Sequence, residues 1–105
     1  MSQTQQQRFL PAPVGACNGT SLSGYIGERF TPAQVIDAFG PGIGSGDKTN
    51  FEWVFVRDDG VPFTVYDYKA FIGLETQYDF HIGSTQGDVK EFASWFANKV
   101  KAELS

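Results

Sequence analysis

Cysteine is almost missing from this chain. Cys17 stands alone, so no intramolecular disulfide can form and the disulfide-scaffold class is excluded. Histidine also occurs once, as His81. A metal centre needs more ligands than one imidazole among scattered carboxylates, so no metal and no cofactor is expected. No apolar run approaches the ~20 residues of a membrane span, and no membrane partner is expected. Basic residues are few: 8 Lys and Arg against 12 Asp and Glu leave a net charge of −4. That balance argues against direct nucleic-acid binding, which draws on a basic stripe. What the 105 residues do hold is rings: ten Phe, four Tyr and two Trp, within 41% hydrophobic residues. Such a chain is too rich in core formers for intrinsic disorder, and its length suits one ring-dominated domain.

The first twenty residues read as a flexible N-terminal arm, with the domain spanning 21–105. Met1 to Gln7 is polar and Gln-rich, and Pro11 and Pro13 remove two backbone donors. Phe9, Leu10 and Val14 are apolar enough to dock on the domain or on a neighbouring subunit. Val14-Gly15-Ala16-Cys17 has the look of a lipobox, but the stretch before it is too polar and proline-broken for a signal core. Asn18-Gly19-Thr20 fits a glycosylation acceptor that would need a secretory route. A cytoplasmic protein is the expectation.

Thr31-Pro32-Ala33-Gln34 announces a helix: an N-cap, a proline at the first helical position and the glutamine of a capping box. Val35, Ile36 and Phe39 give it an apolar stripe, and Gly40-Pro41 stops it, for a helix over 31–39. A glycine-rich connection follows at 40–50. Alternation and β-branching predict strands over 51–57, 61–69 and 78–82. A final helix is expected from about Gln86, capped by Thr85, with Val89, Phe92, Ala93, Phe96 and Val100 as its buried stripe.

Between the first two strands, Asp58-Asp59-Gly60 sets the register. A two-residue turn would mix apolar and polar residues on both faces. A three-residue loop with Gly60 in the left-handed region pairs Glu52 with Tyr66 and separates them. Phe51, Trp53, Phe55, Phe63 and Val65 then point inward, and Glu52, Val54, Val56, Thr64, Tyr66 and Tyr68 outward. In the third strand Tyr78, Phe80 and Ile82 face in, Asp79 and His81 out. The expected fold is α+β: a three-stranded antiparallel meander packed by two helices, four-stranded if 21–26 joins it.

Among motifs, Gly42 to Thr49 resembles a phosphate-binding P-loop. Asp47 stands where phosphate oxygens would sit, however, and the loop follows a helix rather than a strand. His81 with Asp79 suggests an oriented base, but no nucleophile accompanies it, so no catalytic residue is assigned. The outward sheet face is the better candidate, because exposed aromatic surface rimmed by polar groups marks interaction sites. Glu52, Tyr66, Tyr68, Asp79 and His81 are the expected partner-binding residues. A second set, Gly44, Ser45, Gly46, Lys48, Lys69, Ser84 and Thr85, would serve an anionic small molecule at the glycine loop and the last helix N-terminus.

The order Phe39-Gly40-Pro41, Lys48, Glu52-Trp53-Val54-Phe55, Asp59-Gly60, Thr64-Val65-Tyr66-Asp67-Tyr68-Lys69, His81-Ile82-Gly83 resembles small uncharacterised proteins of tailed bacteriophages. It covers roughly residues 20–87 and departs from that pattern at Phe80, often Trp, and at Ser84, often Gly. A fainter likeness, Thr31-Pro32-Ala33-Gln34-Val35 then Gly40-Pro41, is similar to outer-membrane lipoproteins of the barrel-assembly machinery, which require a lipoprotein signal. The phage resemblance implies no biochemistry, only a host-cell setting. The expectation is a non-catalytic binding protein that blocks a host macromolecule, an anti-defence inhibitor for instance. Sequestration of a nucleotide-like messenger by a homo-oligomer is the alternative.

Overall fold

Thr31 decides where the first helix starts. Its side chain accepts from the Gln34 N–H at 3.1 Å, and the Gln34 amide oxygen accepts from the Thr31 N–H at 2.9 Å, closing a reciprocal capping box. In this computed structural model, which describes residues 9–12, 20–42, 51–67 and 72–104, helix α1 runs Pro32–Phe39. Gly40 ends it at φ +88°, returning its N–H to the Ile36 carbonyl at 2.7 Å.

Strands β1 (Phe9–Pro11), β2 (Ser21–Tyr25), β3 (Glu52–Arg57), β4 (Pro62–Tyr66) and β5 (His81–Ser84) form one antiparallel sheet in the order β1-β3-β4-β5-β2. The β3–β4 register is the expected one, Glu52 opposite Tyr66 and Phe55 opposite Phe63. Gly60 takes φ +88° after Asp58-Asp59, and the Arg57 N–H closes the loop on the Val61 carbonyl at 2.9 Å. Arg57 grips Asp59 from within the same loop at 2.6 Å. Both helices lie on the inner face. Phe39 of α1 stacks on Phe96 at 4.9 Å, and Phe63 stacks on Phe92 at 4.7 Å. Phe96 and Phe92 belong to helix α2, Lys90–Leu104. Each fully buried ring of this kind contributes about 1.5–3 kcal/mol.

Three expectations need correction. Among the described residues the sheet has five strands, because β2 joins as anticipated and β1 is added from within the supposed arm. Phe9 is 4% exposed and its ring meets Phe63, Phe92 and Trp95 at 5.4, 5.2 and 5.0 Å. Pro11 is tolerated because β1 is an edge strand. The last strand begins at His81 rather than Tyr78, since Tyr78 exchanges both backbone hydrogen bonds with Phe30 in an isolated bridge. Finally, α2 begins at Lys90, with the first helical bond accepted by the Val89 carbonyl, and it is the Asp88 carboxylate, not Thr85, that accepts from the Lys90 N–H, at 3.1 Å. A turn held by Ser84 and Gln86 side chains occupies the preceding residues.

Candidate functional site

The registers line up the outer sheet face in rows. Glu52, Tyr66, His81 and Tyr25 stand side by side across β3, β4, β5 and β2. Val54, Thr64, Gly83 and Leu22 form the next row, and Leu10, Val56 and Pro62 the third. The imidazole of His81 lies between two tyrosine rings, stacked on Tyr66 at 5.4 Å and tilted against Tyr25 at 4.8 Å. Tyr78 adds a third ring at 5.9 Å, its hydroxyl 3.1 Å from His81 Nδ1. Leu10, Leu22 and Tyr25, three of the largest exposed apolar side chains, all belong to this face. The middle row is less open than its outward position suggests, for Val54 and Thr64 are both buried. The Thr64 methyl and the Tyr66 ring crowd the space above Gly83, where a Cβ would stand 3.3 and 3.4 Å from them.

Of the expected partner-binding residues, the structure thus joins Glu52, Tyr66 and His81 in one row. Asp79 serves another end: its Oδ1 accepts from the Gly27 N–H at 2.9 Å and fastens the turn between β2 and α1. Tyr68 lies outside the described residues. Tyr25, Tyr78, Leu10 and Leu22 were missed. Alternation could have marked Tyr25, but a register shift between Leu22 and Gly24 breaks the parity that a sequence pattern relies on.

Two groups in the row titrate abnormally. Burial raises the Glu52 carboxyl above its ordinary value, against the lowering effect of the Thr64 hydroxyl, which donates to it at 3.3 Å. Burial likewise lowers His81, against the raising charges of Asp79 and Asp67 and the Tyr66 backbone. His81 is therefore a neutral stacking ring near pH 7. Below pH 6.5 the unfolded chain binds a proton that the folded one resists, so stability falls as pH drops. Glu52 acts oppositely, with its burial penalty growing as pH rises above 4.5. In a Glu52→Gln background, the urea midpoint should fall between pH 6.5 and 5.5, and adding His81→Gln should flatten that slope. An unchanged slope would show that the ring is not desolvated.

The residues expected to hold an anion are less well gathered. Ser84 is 1% exposed, and its hydroxyl donates to the Pro62 carbonyl at 2.9 Å. Thr85 is exposed but does not cap α2. The Asp88 carboxylate occupies the place at the helix N-terminus where an anionic ligand would sit. Gly44, Ser45, Gly46, Lys48 and Lys69 lie outside the described residues.

Among the described residues no group of three His, Cys, Asp or Glu side chains is placed to hold a metal ion. No helix there is long and apolar enough to cross a membrane. The chain matches no protein-family model and no curated protein.

Proposed function

We propose that this chain is a non-catalytic binding protein that engages a host macromolecule through the outer face of its sheet. The observation that carries this reading is the placement of the Tyr66–His81–Tyr25 stack and of Leu10 and Leu22 on the one sheet face opposite both helices. Tyrosines lose little side-chain entropy on contact and pair an apolar ring with a polar tip, which suits them to anchor an interface. The imidazole's position inside a ring stack favours packing over proton transfer. The chain's net charge of −4 would steer it toward a basic surface on the partner. Together with the resemblance to small phage proteins, this supports an inhibitor, in the manner of an anti-defence factor acting in the host cytoplasm.

Native mass spectrometry of the chain purified from host lysate tests the proposal. The expected result is a defined host protein in complex with it, released at least tenfold more readily by the pair Tyr25→Ala and Tyr66→Ala while the variant still folds. A small-molecule adduct on a homo-oligomer would instead support sequestration of an anionic ligand.

A further inference from the structure

We propose that the cleft between the open edge of β2 and helix α2 binds an extended peptide of neutral or basic character, which adds to the sheet as a further strand beside Tyr25. Strand β2 ends the sheet order, so its outer edge has no neighbouring strand among the described residues. The Ile26 N–H donates toward β5, to the Phe80 carbonyl at 3.1 Å. Antiparallel alternation then turns the N–H and C=O of Tyr25 the other way, to the open edge. A cleft of about 710 Å³ opens there, between Ser23–Glu28 and the first turns of α2. Its floor is tight: a Cβ on Gly24 would lie 2.6 Å from Cγ2 of Val89, the residue that leads into α2. Ala93 and Ser94 form the helical wall.

The geometry selects its occupant by main-chain chemistry. A donor and an acceptor side by side on a strand edge are matched by another strand, while the adjoining groove receives that strand's alternate side chains. The cleft's size lies within the range of small binding sites. Its rim carries Glu28 and Asp88 against Lys90 alone. Lys101 already engages Glu28, at 2.9 Å. The local charges thus nearly offset, but a second copy would bring its own net charge of −4 against this one. A neutral or basic peptide meets no such repulsion. The cleft shares Tyr25 with the outer face, but uses its main chain, whereas the outer face uses its ring against His81; Tyr66→Ala, which touches only the outer face, therefore separates this proposal from the function proposed above.

The test is an amide NMR titration of the full chain with acetyl-Lys-Val-Thr-Val-Lys-amide and with the same peptide carrying Glu in place of both Lys. The lysine peptide should shift Ser23, Tyr25, Ala93 and Ser94 and slow exchange of the Tyr25 N–H. The glutamate peptide should bind at least tenfold more weakly. Ser94→Arg, at an exposed helical position, should weaken the lysine peptide at least tenfold without unfolding the chain, whereas Tyr66→Ala should leave it unchanged. Absence of shifts at millimolar peptide, shifts confined to the outer face, or a β2-mediated dimer that excludes the peptide would each overturn the proposal.

Discussion

Replacing Phe9 by alanine is expected to destabilise the fold by about 3–5 kcal/mol, the ordinary cost of deleting a buried ring whose site cannot collapse. The ring is 4% exposed and sits against Phe63, Phe92 and Trp95, so its removal opens a hole between β4 and α2. The effect would be large for a domain whose total stability is of order 5–15 kcal/mol. Leu10 next door is 63% exposed on the opposite face, and Leu10→Ala should cost no more than about 0.5 kcal/mol. Urea unfolding of the two variants, compared at equal m-value, separates a core strand from a loosely tethered one. If Phe9→Ala falls within about 1 kcal/mol of the parent, β1 does not belong to the folded unit in solution.

The segment that holds Phe9 shows what a sequence reading can miss. Gln-rich and proline-bearing flanks read as an arm because propensity is local, whereas three paired residues and one anchored ring suffice to recruit an edge strand. Where local chemistry did dominate, the reading was sound. The Thr31–Gln34 box and the Gly60 loop are set by residues within four positions of each other, and both appear as expected. The β3–β4 register followed, because only one pairing buries Trp53, Phe55, Phe63 and Val65 together. The site was half legible for the same reason. Glu52, Tyr66 and His81 lie on strands of clean alternation, but Tyr25 lies beyond a register shift on a strand paired with residues about sixty positions away. Thr64 is buried on the outer face between Gly83 and the Glu52 carboxylate, cross-strand neighbours that no local pattern encodes. Ser84, assigned to a ligand, is spent inside the fold on the Pro62 carbonyl, a partner 22 positions away that no local pattern points to.

Gly42→Ala is the second substitution with a large expected cost, because the opening of the glycine-rich connection is pressed against Trp53. The indole Nε1–H donates to the Gly40 carbonyl at 2.9 Å, drawing the chain across the ring. A Cβ on Gly42 would collide with Trp53 Cε2 and lie 2.7 Å from both Cδ2 and Nε1. The ring cannot retreat: it is 4% exposed, with Phe80 edge-on at 5.7 Å and Phe51 parallel at 6.1 Å. Either the chain lifts away and stretches the indole hydrogen bond, or the core shifts, and overpacking of this kind costs about 1–3 kcal/mol. Gly87, with nothing near its missing Cβ, is the control, and Gly87→Ala should stay within about 0.5 kcal/mol of the parent. The clash makes a further demand. In a Trp53→Phe background the smaller ring leaves room, so the alanine penalty should shrink, giving a coupling of about 0.5–3 kcal/mol in a double-mutant cycle. An additive pair would mean that Gly42 is required for something other than its contact with the indole, and would return the glycine-rich segment to the list of surfaces that act on a ligand or partner.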